Sequence, residues 1–249
     1  MATYTTTADE NGNWSVPLAG YNSGEKVIVT AEKDGGSKSI ELYAPSDPLG
    51  GGVIQFSGNM TDFPTNIGDV TLTSDIQGTV AAYSFSANNT AISTGALWNR
   101  ATGLALPEGI TSLGGYAFAY WARATKLILP LTLTSIGDYC FRDIGYLAEG
   151  IDISIPEGCS LGSRSFIGAN IKKLTLPSTL TSIPTYCFSS GLRNATELIC
   201  LAQIPPTYNT NAFQGLSAAC VIKVPLGSLP SYQSAPGWSE FAAQMVEIA

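Results

Sequence analysis

Residues 127–141 read LILPLTLTSIGDYCF, and this stretch decides the fold because it recurs along the chain. The same order of apolar, proline, Thr-Ser and aromatic positions is found in LALPEGITSLGGYAF at 104–118 and in LTLPSTLTSIPTYCF at 174–188. A further unit begins at Ile153, so the four clear units start 23, 26 and 21 residues apart. A fixed period in the twenties predicts a solenoid, in which each unit forms one coil and neighbouring coils share a core.

Each part of the repeat has its own structural role. The Leu-x-Leu-Pro step predicts a short strand with two inward Leu side chains, and the proline ends the strand because it has no amide hydrogen to donate. The Thr-Ser-Ile step turns the chain and returns an apolar side chain to the core. The phenylalanine that closes each unit is expected to fill the far side of the coil as one stacked ladder. The predicted core phenylalanines are Phe118, Phe141, Phe166, Phe188 and Phe213.

Weaker copies of the unit extend the array in both directions. Leu198–Phe213 and Val221–Phe241 follow in phase, and a faint copy at Val70–Phe85 precedes the clear units, which gives about seven units in all. The repeats also account for the composition of the 249-residue chain, which is 45% hydrophobic and only 12% charged. Copies of one template written in Leu, Ile, Pro, Thr, Ser, Tyr and Phe leave few positions for charge.

The pattern L-x-L-P-x-x-L-T-S-I-x-x-Y-x-F resembles the BspA-like leucine-rich repeats, and the resemblance covers about residues 70–249. Proteins of that family occur on the surface of gut and oral bacteria or are secreted by them, and they also occur in some protists and in phages. The resemblance implies a mainly β fold, with a leucine-rich-repeat solenoid over residues 53–249. Residues 53–69 are expected to form its N-terminal cap.

The end of the chain resembles the C-terminal cap of the same family. Residues 221–249 are expected to form a strand at 221–224, a short helix near 228–234, and a lid in which Trp238 packs over the last coil. A solenoid needs such a lid because its last coil would otherwise expose an apolar end. We therefore expect Ala249 to be a natural C-terminus.

The N-terminal segment has a different character. Residues 1–45 predict about four short strands, and the stretch 46–52, SDPLGGG, is typical of a linker. The sequences TTTADENGNWSVPL and GEKVIVTAEKDGGSKS resemble the C-terminal half of a bacterial immunoglobulin-like domain. Half of such a domain buries too little apolar surface to be stable alone. Either the chain was cut from a longer one, or the N-terminal sheets of several copies complete each other in an oligomer.

Composition excludes several classes of function. The chain has no histidine, which rules out a Ser-His-Asp triad and any histidine-ligated zinc or haem. Its 12 Lys and Arg residues form no cluster, which argues against nucleic-acid binding. The start, MATYTTTADENG, lacks the apolar segment of a signal peptide, and no apolar run approaches the roughly 20 residues that cross a bilayer. We expect no nucleic-acid partner and no membrane insertion.

The cysteines favour a structural role. They contain no CxxC pair, so neither a metal site nor any cofactor is predicted, and we interpret them as small buried hydrophobic residues. Unpaired cysteines suit folding in a reducing cytoplasm. The five are Cys140, Cys159, Cys187, Cys200 and Cys220.

Catalysis has weak candidates. A carboxylate pair at a suitable separation could cleave a glycoside. The four candidate carboxylates of this chain fall at turn positions, where Asp and Glu are solvated or cap the backbone. The sequence therefore predicts a protein that is not an enzyme. A polysaccharide-degrading spike remains an alternative. The carboxylates concerned are Asp138, Asp143, Glu149 and Asp152.

Ligand binding has better candidates. Six aromatic residues fall outside the core rhythm, namely Trp98, Tyr120, Trp121, Tyr146, Tyr208 and Tyr232. Exposed Tyr and Trp beside Asn, Ser and Thr suit sugar stacking or protein recognition, although such residues can also cover the edges of a core. The longest unit carries an insertion at 143–150, and insertions in a solenoid often form its binding face. The predicted ligand-binding residues are Trp98, Tyr120, Trp121 and Tyr146.

These features predict a non-enzymatic adhesion module whose solenoid binds a host cell-surface glycan or protein. The initiator Met, the missing signal peptide and the unpaired cysteines favour a phage structural protein, a tail or head fibre in the virion. Residues 1–45 would then attach it to other structural proteins or form a homo-oligomer. The alternative is a fragment of a bacterial cell-surface or secreted adhesin.

Overall fold

The structure is a computed structural model that describes residues 4–19, 26–33, 36–43, 54–59, 68–72, 78–80, 82–83, 85 and 101–248. Short strands and turns make up most of it. The strands are β1 (Asn13–Leu18), β2 (Lys26–Lys33), β3 (Gly36–Tyr43), β4 (Ile54–Asn59), β5 (Gly68–Leu72), β6 (Gly78–Val80), β7 (Ala101–Ala105), β8 (Ile110–Leu113), β9 (Lys126–Ile128), β10 (Ser135–Ile136), β11 (Ile151–Ser154), β12 (Ser160–Leu161), β13 (Ile171–Leu176), β14 (Ser182–Ile183), β15 (Glu197–Cys200), β16 (Thr207–Tyr208), β17 (Val221–Val224) and β18 (Met245–Glu247). An α-helix, α1 (Leu229–Ser234), and a 3₁₀-helix (Trp238–Gln244) lie near the C-terminus.

From β5 onward, each coil gives one strand to each of two parallel ladders. The first ladder runs β5–β7–β9 and then β11–β13–β15–β17, and the second runs β6–β8–β10–β12 and then β14–β16. Equivalent motif positions lie side by side, since Leu174 is opposite Leu198 and Leu198 is opposite Ile222. Six coils carry both strands, and the predicted mainly β solenoid is confirmed. The predicted seventh unit, Val221–Phe241, forms part of the C-terminal lid.

The core of the solenoid is a ladder of phenylalanine rings. Phe85 and the five predicted core phenylalanines are fully buried, one in each coil. Successive rings stack with centroids 5.1–5.8 Å apart and with planes inclined by no more than 29°. Each ring therefore removes a large apolar surface from water and also contacts the coil on either side.

In each of the five coils from Phe118 to Phe213, the backbone turns twice through a left-handed residue. One such residue lies two positions before the core phenylalanine, and the other lies two positions after it. Around Phe141 they are Tyr139, with φ 57°, and Asp143, with φ 55°. Left-handed backbone costs roughly 1–2 kcal/mol for residues other than glycine. Its recurrence at non-glycine residues indicates that packing of the whole coil, not local preference, holds the corner.

Glycine permits the close approach of neighbouring coils at one corner. A Cβ added to Gly162 would lie 2.6 Å from the backbone nitrogen of Asp138, and one added to Gly137 would lie 2.7 Å from that of Gly115. No side chain fits at these distances, so Gly137 and Gly162, which occupy the same repeat position in adjacent coils, are restricted to glycine.

Glutamates that follow the strand prolines join one coil to the next. The Glu157 carboxylate accepts hydrogen bonds from the backbone amides of Ser178 (2.9 Å) and Thr179 (3.1 Å). Glu108 caps the turn at Leu131 and Thr132 in the same way. The amide hydrogen bonds hold the pKa of both carboxyl groups below the ordinary value.

The C-terminal lid lies over the last phenylalanine. The Trp238 ring meets Phe213 edge-on at 5.4 Å, and its indole nitrogen donates to the carbonyl of Pro206 at 2.8 Å. Tyr232, from α1, is fully buried and donates to the carbonyl of Ala202 at 2.7 Å. The strand β17, the helix α1 and Trp238 therefore lie where the sequence predicts a strand, a short helix and a tryptophan lid. No helix in the described ranges is both long and apolar enough to cross a membrane.

The N-terminal strands divide into two groups. Strands β2 and β3 form an antiparallel hairpin, whereas β1 pairs with β4, which pairs with β5 of the first ladder. Trp14 of β1 belongs to the same cluster of buried residues as the solenoid core. Residues 4–12 form no strand, and the predicted linker at 46–52 lies outside the described residues. The immunoglobulin-like likeness of residues 1–45 stays a prediction.

Replacing a core ring should destabilise the whole solenoid. We expect Phe166→Ala to lower the free energy of unfolding by about 3–5 kcal/mol, because a cavity would open between Phe141 and Phe188. Urea unfolding followed by circular dichroism measures the change. The control is Leu131→Ala, since Leu131 is 81% exposed and its loss should cost no more than about 0.5 kcal/mol. Similar costs for the two variants would contradict the assigned core.

The buried thiols should make the fold sensitive to alkali. Burial raises the pKa of Cys159 and Cys187 to about 12, against an ordinary value of 9.0. The stability that these thiols contribute is fully present below pH 9.0 and is lost as the pH rises toward about 12, because the unfolded chain ionises first. Thermal unfolding midpoints across this range should fall. The fall should be shallower in Cys187→Ala, and an unchanged slope in that variant would contradict the explanation.

Candidate functional site

A column of outward-facing side chains runs along one side of the solenoid. It is formed by the left-handed residue two positions before each core phenylalanine, in five successive coils. We name it the Tyr–Arg column, and its members are Tyr83, Tyr116, Tyr139, Arg164 and Tyr186. All five have φ between 55° and 63°. Each side chain reaches the surface, whereas the phenylalanine two residues later is fully buried.

Members of the column stack on one another from coil to coil. The rings of Tyr83 and Tyr116 lie 4.9 Å apart, and those of Tyr116 and Tyr139 lie 4.7 Å apart, in each case nearly parallel. The Arg164 guanidinium continues the stack, 5.7 Å from the Tyr139 ring and 4.7 Å from the Tyr186 ring. Stacked rings and cation–π contacts each add roughly 0.5–1.5 kcal/mol, so the column is held rigidly.

Stacking decides what the column presents to solvent. Tyr83, in the first coil, is 47% exposed, and the other tyrosines are half-buried. Neighbours cover both faces of the inner rings, which leaves ring edges and hydroxyl groups for a ligand. Burial, with help from the neighbouring tyrosines, raises the pKa of Tyr116, so its hydroxyl stays protonated and can donate at neutral pH.

A second group of side chains adjoins the column. The Arg142 guanidinium lies 5.4 Å from the Tyr120 ring and 5.8 Å from the Tyr139 ring, so it connects Tyr120 to the column. Arg142 also pairs with the Asp143 carboxylate at 3.2 Å. Hydrogen bonding and attraction to that carboxylate, together with the nearby tyrosines, outweigh desolvation and raise the pKa of Arg142.

The insertion at 143–150 adds an exposed aromatic residue, Tyr146. The amides of Gly145 and Leu147 donate to the carbonyls of Trp121 (3.0 Å) and Ala122 (2.6 Å). These bonds tie the insertion to the preceding coil, and the Tyr146 side chain between them is 58% exposed. We name Tyr120, Arg142 and Tyr146 the side patch.

The structure does not place the other two predicted ligand-binding residues, Trp121 and Trp98, on this surface. Trp121 is fully buried, and its indole nitrogen donates to the carbonyl of Phe85 at 2.7 Å. The expected exposure of Trp121 is therefore wrong: the position three after the core phenylalanine points into the core, as Ile144 and Ala169 do in the next coils. Trp98 lies outside the described residues.

The other two aromatic residues outside the repeat pattern, Tyr208 and Tyr232, lie at the C-terminal end of the core. Tyr232 is buried in α1, and Tyr208 packs against Phe213 with ring centroids 5.5 Å apart. Both cover the end of the core, which is the role that the sequence left open for such residues.

The exposed face of the first ladder carries a separate groove. It measures about 380 Å³ and lies where the ladder is interrupted, since β9 and β11 belong to different sheets. Asp152, Lys173 and Glu197 line it and lie opposite one another on adjacent strands. Charges that alternate in this way satisfy each other across the strands and favour a solvated sheet face over a ligand site.

The candidate catalytic carboxylates are engaged in local bonds. Asp138 accepts the backbone amide of Ser163 at 2.7 Å, and Asp143 pairs with Arg142. Within the part of the chain that the structure describes, no three His, Cys, Asp or Glu side chains come together as metal ligands would. Among the four candidate carboxylates, Asp152 lines the groove on the sheet face.

The repeat places a tyrosine two residues before the core phenylalanine in several units, but the period alone does not show that this tyrosine lies outside the core. A usable signal was the replacement of tyrosine by arginine at 164 and by asparagine at 211, because neither residue belongs in an apolar core.

Substitutions of Trp121 and Tyr146 should differ in their effect on the free energy of unfolding, because Trp121 is buried and Tyr146 is exposed. We expect Trp121→Ala to lower the free energy of unfolding by about 3–5 kcal/mol, since it opens a cavity and removes the donor to Phe85. Tyr146→Ala should change it by no more than about 0.5 kcal/mol. Urea unfolding of both variants measures the difference. Equal effects would contradict the placement of Trp121.

Comparison with known proteins supports the repeat architecture. Residues 65–194 match the family described as BspA type leucine rich repeat region, in six copies. A search of curated proteins gave no match.

Three solved structures of bacterial proteins are similar to this chain. The pneumococcal vaccine antigen PcpA is 17% identical, with 73% of this chain and 40% of that chain covered and a TM-score of 0.50. A leucine-rich repeat protein of T. pallidum, TpLRR, is 20% identical, with 58% and 73% covered and a TM-score of 0.40. One from Eubacterium ventriosum is 17% identical, with 69% and 64% covered and a TM-score of 0.41.

This chain therefore spans less than half of the pneumococcal protein chain that it resembles. The family match covers more than half of this chain. The chain belongs to the family of BspA-type leucine-rich repeat proteins.

Proposed function

We propose that this chain is a non-enzymatic recognition module that binds a cell-surface ligand through the Tyr–Arg column and the side patch. The observation that carries the proposal is the rigid, partly exposed stack of tyrosine and arginine side chains on one side of the solenoid. Leucine-rich repeat proteins of this kind are typically recognition modules, which agrees with such a surface.

The chemistry of the column suits binding. Tyrosine and arginine are enriched in protein-binding surfaces and among the residues that contribute most to affinity. Binding normally costs free energy because side chains lose freedom on contact. In the column, Tyr116 and Tyr139 are already held between neighbours, so less freedom remains to be lost.

The biological setting we propose is a phage tail or head fibre in the virion, with the solenoid binding a host surface glycan or protein. Residues 1–45 would provide attachment to other structural proteins or form a homo-oligomer. Five unpaired, buried cysteines support assembly in a reducing cytoplasm, where phage proteins are made. The alternative setting is a bacterial cell-surface or secreted adhesin. Mass spectrometry of purified phage particles, beside a membrane fraction of the host, distinguishes the two.

A binding assay on candidate host cells tests the proposal. We expect Tyr139→Asn to weaken binding at least about tenfold, because it interrupts the stack. Asparagine is chosen because Asn211 occupies the equivalent left-handed position, with φ 56°, so the backbone corner should survive. Tyr146→Ala should weaken binding to a smaller extent. Fluorescently labelled protein and flow cytometry measure the effect.

The matched control is Ile204→Asn, because Ile204 is 81% exposed and lies outside both the column and the side patch. It should bind like the parent protein. Unchanged binding by both tyrosine variants would remove the column and the side patch as the binding surface. Equal loss in the control would show that any surface change is harmful and would also contradict the proposal.

A further inference from the structure

Arg164 is the exception in an otherwise aromatic stretch of the column. The four other members are tyrosines, and Arg164 takes the tyrosine position without breaking the stack. A repeat that needed only a stacked core cover would be satisfied by tyrosine here. The guanidinium adds a positive charge and several N–H donors to a surface that otherwise offers hydroxyl groups.

Arg164 contacts two tyrosine rings but forms no ion pair among the described residues. The ion pairs among the described residues are Arg142 with Asp143 and Lys223 with Glu197, and Arg164 takes part in neither. The nearby Asp138 carboxylate is held by the amide of Ser163. A weak hydrogen bond from Arg164 to the Ser163 hydroxyl, at 3.4 Å, leaves most of its donors available.

The two tyrosines beside Arg164 orient the guanidinium. Tyr139 and Tyr186 contact the guanidinium from the coils on either side, at 5.7 Å and 4.7 Å, and these contacts restrict its position. A guanidinium in a fixed orientation is suited to a carboxylate, because two parallel N–H donors match two carboxylate oxygens. Lysine offers no such match.

Resting on the proposed function, we infer that Arg164 binds the carboxylate of an acidic polysaccharide laid along the column. The surroundings favour a sugar chain over a peptide, because the neighbouring groups are the tyrosine hydroxyls and the hydroxyl of Ser163. Hydroxyl-rich surfaces hydrogen-bond sugar hydroxyls.

The test uses linear polyuronates as probes, namely polygalacturonate, alginate and hyaluronate, each beside its carboxyl-reduced form. We expect the parent protein to bind at least one polyuronate and to bind its reduced form at least about tenfold more weakly. Arg164→Tyr restores the residue found in the other coils, so the stack should persist. It should weaken polyuronate binding at least about tenfold and leave binding of the reduced polymer unchanged.

Two further variants separate geometry from charge. Arg164→Lys keeps the charge and should recover only part of the affinity. Arg193→Gln is the matched control, because Arg193 is exposed and its Nε atom donates to the carbonyl of Ser190, away from the column. It removes one positive charge and should change affinity less than about twofold, as expected for a screened surface charge.

Several results would overturn the inference. The inference fails if no polyuronate binds, or if the carboxyl-reduced polymer binds as tightly as its parent polymer. It also fails if Arg164→Tyr binds polyuronate as tightly as the parent protein, or if Arg193→Gln weakens binding as much as Arg164→Tyr does. Tighter binding of poly-glutamate that is lost in Arg164→Tyr would assign an acidic peptide instead. If Tyr139→Asn abolishes cell binding while Arg164→Tyr does not, the proposed function stands and this inference fails.

Discussion

The structure depends on one constraint: each coil must bring its phenylalanine directly over the phenylalanine of the coil before it. The ring of Phe141 lies 5.7 Å from Phe118 and 5.1 Å from Phe166, which is about the spacing of parallel strands. Since strands and rings share this spacing, backbone ladders and side-chain stack strengthen each other. A coil that lost register would lose both its strand hydrogen bonds and its core contacts.

That constraint also builds the outer surface. To return at the same height, the chain turns sharply on both sides of the phenylalanine, and it uses left-handed residues to do so. The residue at the first turn, such as Tyr116 or Tyr139, is thereby placed outside the core, in register with its equivalents. The Tyr–Arg column is thus a consequence of the phenylalanine ladder, and any residue at this position becomes part of one continuous surface.

The period of the repeat allowed the solenoid, its core phenylalanines and the C-terminal lid to be predicted, because each recurs or follows a family pattern. Trp121 could not be placed, since its direction depends on the left-handed turn at Tyr120, with φ 69°, which leaves no mark in the residue pattern. The pairing of β1 with β4 was also missed, because strand partners distant in sequence carry no local signal. Tyr146 was recognised as exposed because it lies in an insertion.

Specificity in such a protein must come from departures from the template, because the template itself is occupied with stacking. Two departures lie in adjacent coils: the insertion that presents Tyr146, and the arginine at 164. Arg142 lies between them, since it pairs with Asp143 of the insertion and lies within 6 Å of the Tyr139 ring, which Arg164 also contacts. The internal partner of Arg142, Asp143, neutralises that arginine, whereas Arg164 lacks an equivalent. The column and the side patch together therefore combine an exposed ring, hydroxyl groups and an arginine that has no carboxylate partner among the described residues, a combination that the repeated core alone does not require.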